Sequence, residues 1–154
     1  MNGPEMNDQE MDSRVLQRQQ GRERGPVAGI LGHRLLVVDR AASYIEAEFR
    51  AEAHFFNPMG VMQGGFTMAM LEQSMLDAVL ALADGRCEVT TLEMQCNFIA
   101  AVGPGAPRCR ASLVRQGRST AFVEARLFDG GGALAATSTS VVAVSPEGSG
   151  QGCE

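Results

Sequence analysis

The sequence predicts an α+β domain in which an antiparallel sheet of five to six strands wraps around one long central helix. Three observations lead there. After Gly65 no proline or glycine interrupts the chain until Gly85, and apolar residues in that stretch recur at helical spacing. The segments on either side alternate apolar and polar residues with a period of two. Glycine-rich turns join the later strands, so the order is strand, strand, helix, four strands. One helix cannot cover both faces of such a meander, so the sheet must curl around it.

Residues 1–24 are polar and rich in Gln, Arg and Glu, which predicts disorder or a loosely attached helix. The domain spans 25–145. Pro26 opens a short helical or turn segment, and residues 33–39 (HRLLVVD) read as a strand. In the second strand Ile45, Ala47 and Phe49 alternate with Tyr44, Glu46, Glu48 and Arg50. Residues 53–62 form the loop ahead of the helix. Beyond Asp84-Gly85-Arg86, residues 89–99 send Leu92, Met94, Cys96 and Phe98 to one face and Thr91, Glu93, Gln95 and Asn97 to the other. The strand at 108–115 puts Cys109, Ala111 and Leu113 inward; that at 120–128 does so with Ala121, Val123, Ala125 and Leu127. Asp129-Gly130-Gly131-Gly132 is a turn into a last strand at about 133–144, and 146–154 read as a flexible tail.

Composition narrows the function. The 154 residues carry a net charge of −5, which argues against nucleic-acid or acidic-membrane binding. All 13 basic residues are arginine, so no lysine can serve as nucleophile or Schiff base. Tryptophan is absent and there is a single tyrosine, a poor supply for base stacking. The four cysteines form no CxxC pair and there are two histidines, so no metal site is expected. With no apolar run of membrane-spanning length and no apolar leader, the expectation is a cytoplasmic protein with reduced thiols.

The chemistry gathers in NPMGVMQGGFTMAMLEQSMLDAV, residues 57–79. On a helix, Met68, Ala69, Glu72, Met75, Leu76 and Val79 share one face, with Glu72 its only charge; Phe66, Met70, Gln73 and Asp77 lie opposite. Glu72 lies too deep for the helix dipole to help it, because that effect fades within the first turn. Either it meets an arginine or water, or it works. Gly64 and Gly65 favour the second reading: glycines at a helix start admit a ligand to the backbone, and free N–H groups there stabilise negative charge. An acid and an anion-stabilising helix terminus in one segment are the parts of an acyl-transfer site.

Asn57-Pro58-Met59-Gly60, Gln63-Gly64-Gly65 and an acid nine residues after Gln63, in this order of elements, resemble the hotdog-fold acyl-CoA thioesterases of the phenylacetate-pathway (PaaI) type. The resemblance spans roughly 26–144. It implies hydrolysis of an acyl-CoA at a site between two subunits, coenzyme A being part of the substrate and no cofactor being needed. In it the Gly64 N–H polarises the thioester carbonyl, and Glu72 of the neighbouring subunit acts as nucleophile or general base. Asn57 positions the carbonyl or water, and Thr91, or else Thr90, holds the water. Gly65 belongs to the glycine pair, and the resemblance places coenzyme A contacts near the turn of Arg115, Gly117, Arg118 and Ser119, whose arginines also read as solvated turn residues; Met68 reads first as core and secondly as a lining of the acyl pocket. It also implies a homodimer, built by pairing of the third strand with its symmetry mate, and a dimer of dimers. This chain has Gln63 where the family often has His, and Glu where Asp is commoner. Two further readings stand beside it. One is a non-catalytic acyl-CoA-binding or regulatory module; the other is a hydroxyacyl dehydratase, echoed by His54-Phe55-Phe56.

Overall fold

The computed structural model describes residues 7–22, 25–83 and 87–148. Helix α1 (Asp8–Gly21) leads to the short α2 (Pro26–Ile30), then strands β1 (Arg34–Asp39) and β2 (Tyr44–Glu48). A 3-10 turn (Ala53–Phe55) precedes the long α3 (Gly64–Leu82). Strands β3 (Cys87–Phe98), β4 (Arg108–Gln116), β5 (Thr120–Phe128) and β6 (Leu134–Pro146) follow. The six strands form one antiparallel sheet in the order β1-β2-β4-β5-β6-β3. After α3 the chain places β3 at the far edge of the sheet, returns to set β4 beside β2, and closes the gap to β3 with β5 and β6.

The period-two segments explain the sheet's inner face. Ile45, Ala47 and Phe49, then Cys109 and Ala111, then Ala121, Val123, Ala125 and Leu127, are all buried, as their alternation requires. Many of these are alanines. Small side chains under the middle of the sheet let α3 lie close to the strands, and Met70, Leu71, Ser74 and Ala78 fill that contact. The sheet therefore faces Met70 and Leu71 rather than Met68 and Glu72. Met70 and Asp77, opposite Glu72 in the sequence reading, are buried, while Met68, Ala69, Glu72 and Leu76 are half-buried on the side the sheet leaves open.

Two sequence expectations change. In β3 the alternation breaks at a bulge between Thr91 and Glu93. Thr91 pairs with the buried Val142 and so faces the helix, whereas Leu92, expected inward, is exposed. The N-terminal segment is also more firmly built than its composition predicts. Asn7 and Glu10 form a capping box, with Asn7 Oδ1 accepting from Glu10 N at 2.9 Å. Val15 and Gln19 are buried. Gln19 donates to the Leu80 carbonyl (3.1 Å) and Gln20 to that of Leu35 (2.8 Å), and Asp12 accepts from the Arg40 amide (3.3 Å). Polar side chains dock this helix, and a count of apolar residues misses that. Residues 1–6, 23–24, 84–86 and 149–154 lie outside the described residues, and with them the Asp84-Gly85-Arg86 turn and most of the expected tail.

Asp77 has a partner the helical pattern does not show. His33 Nε2 lies 2.7 Å from Asp77 Oδ2, the two side chains being 0% and 4% exposed. Gln73 Nε2 donates to the other carboxylate oxygen at 3.3 Å, and the His33 ring meets Phe49 edge-on. A buried carboxylate needs such company, and the pair ties the turn before β1 to the middle of α3. Among the described residues no helix is long and apolar enough to cross a membrane.

Candidate active site

The loop ahead of α3 is shaped by Asn57. Its Oδ1 accepts from the amides of Met59 (3.0 Å) and Val61 (3.1 Å), while its own N–H donates to the Val61 carbonyl at 2.9 Å. Gly60 takes the left-handed conformation (φ 74°) that closes this turn. The returning chain is held by Gln63 N donating to Phe55 O (2.8 Å) and Met62 N to Val102 O (3.0 Å). Phe66, in the first turn of α3, stacks on Phe55 with ring centroids 4.1 Å apart. The helix start is thereby fixed by the fold on three sides. With Oδ1 engaged inside the loop, the Asn57 amide keeps its Nδ2 group for any ligand.

Gln63 is the N-cap residue of α3, exposed and with no side-chain cap bond. Among the described residues the N–H groups of Gly64 and Gly65 meet no acceptor, as expected for the first positions of a helix. Gly64 borders a cleft of about 360 Å³ that is also lined by Val61, Met62, Thr67, Phe98 and Val102. A Cβ on Gly64 would stand 3.1 Å from Phe98 Cζ, so a larger residue here pushes on the ring. Phe98 was expected to face inward; its role as the wall against Gly64 depends on how β3 crosses the helix start, which no local pattern carries.

Glu72 lies eight residues further along, about 12 Å down the helix axis. It is half-buried beside the half-buried Met68 and Leu76, and among the described residues it has no hydrogen-bond or ion-pair partner. The alternative in which it meets an arginine is therefore not realised. Thr91 Oγ1 is buried and likewise without a hydrogen-bond partner, whereas Thr90 is exposed. Arg115, Gly117, Arg118 and Ser119 are all exposed at the β4–β5 hairpin, where Gly117 N donates to Thr120 O (2.8 Å) and Val144 N to Ser119 O (2.9 Å).

These groups do not meet within one protomer. The helix start abuts Phe98 at the end of β3, while the hairpin sits by Val144, which pairs with Val89 near the beginning of β3. From Thr91 to Phe98 the strand runs about 23 Å. One chain thus carries a donor end (Asn57, Gln63, Gly64, Gly65) and an acid end (Glu72, about 12 Å along α3), with Thr91 and the hairpin toward the opposite end of β3 from Phe98. His54, the dehydratase echo, is exposed on the 3-10 turn and stacks edge-on against Phe55.

The described thiols are not activated. Cys109 is fully buried, and burial pushes its pKa up to about 12, with Asp77 adding to the rise and hydrogen bonds from Ser74 and the Arg126 backbone opposing it. Burial also raises Cys87 and Cys96, so among the described residues no thiol resembles an activated nucleophile.

Comparison with known proteins agrees with this architecture. Residues 59–136 match the thioesterase superfamily. A phenylacetic acid degradation-related protein of Ralstonia eutropha JMP134 superposes with a TM-score of 0.76 at 32% identity, over 84% of this chain and 98% of that one. The PaaI protein of Escherichia coli, from the phenylacetic acid degradation operon, gives 0.75 over 86% and 94%, at 13% identity, and a thioesterase of Haemophilus influenzae gives 0.71 over 93% of each chain at 18%. At those two identities the likeness concerns the fold. Among curated proteins none matches the chain significantly. The chain belongs to the thioesterase superfamily, with the hotdog fold of the PaaI type, and is a thioester hydrolase.

Proposed function

We propose that this protein hydrolyses acyl-CoA thioesters carrying a small, aromatic or medium-chain acyl group, at a site shared by two protomers. The observation that carries the reading is Glu72, a half-buried carboxylate without a partner on the one side of α3 that the sheet leaves open. A binding module gains nothing from such a group. The donor end and the acid end of one chain lie too far apart to act together, and β3 offers the means of joining two chains. It is a twelve-residue strand at the sheet's edge, and an edge of that length invites pairing with another copy. Antiparallel pairing about a two-fold axis sets the donor end of one protomer beside the acid end of the other.

In the shared site the thioester carbonyl approaches the Gly64 N–H at the helix start, where a donor and the dipole stabilise the oxyanion as it forms. Gly65 adds a second unengaged amide, and Asn57 Nδ2 and Gln63 lie alongside. Glu72 of the other protomer attacks the carbonyl carbon or takes a proton from water that does so, with Thr91 Oγ1 as acceptor or donor to that water. The tetrahedral intermediate collapses by breaking the C–S bond, and the coenzyme A thiolate leaves. Gly117, Arg118 and Ser119 receive its phosphates with exposed cationic and amide groups, and Met68 borders the acyl group. The acidic chain and its reduced, raised-pKa thiols suit a cytoplasmic enzyme.

The test is thiol release from a panel of aromatic and straight-chain acyl-CoAs by the wild type, Glu72→Gln and Glu72→Ala. Removing the acid lowers kcat by about 10²–10⁴. Turnover that survives both substitutions overturns the assignment, and binding without turnover by the wild type points to a module.

A further inference from the structure

We propose that, given the acyl-CoA hydrolysis on which this inference rests, Thr67 sets the specificity of the site: its hydroxyl binds an oxygen on the β-carbon of a short acyl group seated beside Gly64. Thr67 lies one turn into α3. A serine or threonine inside a helix commonly turns its hydroxyl to the carbonyl four residues back. Ser74 does so on this same helix, donating to Met70 O at 2.9 Å. Thr67 does not. The Gln63 carbonyl takes the N–H groups of Phe66 (2.9 Å) and Thr67 (3.5 Å), and among the described residues Thr67 Oγ1 has no hydrogen-bond partner. The residue is nonetheless only 3% exposed. Thr91 Oγ1 is sealed from solvent, whereas Thr67 Oγ1 is not; because Thr67 lines the cleft beside Gly64, its small opening is into that cleft.

The rest of the cleft is apolar. Met62, Thr67 and Val102 form a buried floor, and Phe98 and Ile99 stand exposed at the rim. Among the described residues no charged side chain lines it, and Thr67 carries the one polar side chain. Such a site turns away an acyl group that ends in a carboxylate, and its hydroxyl favours one that answers with a hydrogen bond. A buried floor suits the end of a chain. The coenzyme A arm runs on from the thioester to phosphates that need cations, so the part that stops here is the acyl group. Its length follows from the helix. Thr67 lies about 4.5 Å along the axis from Gly64, and helical side chains lean back toward the N-terminus, over the preceding turn. An acyl group that offers its carbonyl to the Gly64 N–H and a second oxygen to Thr67 must therefore hold the two close together. Oxygens on the carbonyl carbon and the β-carbon meet that condition; one at the far side of an aromatic ring does not. The class selected is a short 3-hydroxyacyl or 3-oxoacyl thioester.

The experiment compares thiol release from 3-hydroxybutanoyl-CoA and butanoyl-CoA by the wild type, Thr67→Val and Thr67→Ser, with circular dichroism to show that each variant is folded. Valine keeps the shape of threonine and removes the hydroxyl; serine keeps the hydroxyl. The quantity read is the ratio of the two kcat/KM values, which a merely structural role leaves unmoved because it affects both substrates alike. The wild type and Thr67→Ser favour the hydroxylated substrate about tenfold or more, and Thr67→Val brings the ratio to within about threefold of one. A wild-type ratio near one overturns the proposal. So does a preference that Thr67→Val leaves in place; both substrates slowed alike would move the hydroxyl's contact to the coenzyme A arm. If the wild type hydrolyses neither thioester, the catalytic reading of the site fails, and calorimetric titration of the wild type and Thr67→Val with the same two compounds decides for Thr67. Tighter binding of the hydroxylated thioester that Thr67→Val abolishes upholds the contact, and equal binding of the two by the wild type overturns it.

Discussion

Replacing Gly64 by alanine separates stability from chemistry at the helix start. The added Cβ would stand 3.1 Å and 3.2 Å from the Cζ and Cε1 atoms of Phe98, tighter than ordinary contact by a few tenths of an ångström. Those atoms are the far end of a side chain that is 56% exposed at the sheet edge, so the ring can give. Gly64 does not have a positive φ, and an alanine there lowers the entropy of the unfolded chain, a gain of about 0.4–1 kcal/mol. The two effects oppose each other, and the folded state changes by less than about 1 kcal/mol. Catalysis is less tolerant. The methyl stands beside the N–H that the oxyanion must reach, and a misplacement of about 1 Å can lower the rate about 10²-fold. Urea unfolding and thiol release, measured on the same preparation, give both numbers. The expected result is unchanged stability with kcat/KM down by about 10². Adding Phe98→Leu frees the ring contact but keeps the methyl, so activity stays low. A Gly64→Ala enzyme within about threefold of wild type refutes the close approach of the thioester carbonyl to this amide.

Two further predictions concern the core. His33→Ala removes the imidazole from the buried Asp77 carboxylate, and the expected loss of stability in urea is about 3–5 kcal/mol; a double replacement, His33→Leu with Asp77→Leu, recovers most of it, and a single variant as stable as wild type contradicts the pairing. Cys109 supplies a test in alkali. Its folded pKa of about 12 lies above the ordinary thiol value of 9.0, so the unfolded chain gives up this proton first and stability falls as pH rises between those values, by roughly 4 kcal/mol at most. Cys109→Ala flattens that slope, and in the native wild type Cys109 resists alkylation that reaches the half-buried Cys96; a wild-type slope equal to that of the variant contradicts the shift.

Much of the fold was legible because it is local. Ala121, Val123, Ala125 and Leu127 alternate without exception, and nothing from a neighbouring strand disturbs them. Leu92 was misplaced because a bulge is a property of two strands; the run from Leu92 to Phe98 alternates as well in sequence as any other, and only the pairing with β6 shows the extra residue. The burial of Asp77 was invisible for a related reason: its partner is His33, distant in the chain, and on a helical wheel it resembles a solvated neighbour of Gln73. At the helix start, Asn57-Pro58-Met59-Gly60 signals a turn and Gly64-Gly65 a bare helix tip, and both are there. The engagement of Asn57 Oδ1 by Met59 and Val61 depends on the loop's closure, which the residue types permit but do not dictate. Glu72 was read on an apolar face, and that face is divided: Met75 and Val79 are buried in the core, while Met68, Ala69, Glu72 and Leu76 are half-buried. The docked N-terminal helix escaped notice because Gln19 and Gln20, polar by composition, act as its anchors.

The shared site is tested most directly by mixing two crippled enzymes. Glu72→Ala and Gly64→Ala protomers, each nearly inactive as a homodimer, are combined and allowed to exchange subunits before thiol release is measured. If Gly64 of one chain works with Glu72 of the other, every mixed dimer holds one intact site, and random exchange restores about a quarter of wild-type activity. If both groups act within one chain, no mixed dimer has an intact site. Activity that stays at the level of the separate variants, with subunit exchange demonstrated, contradicts the shared site.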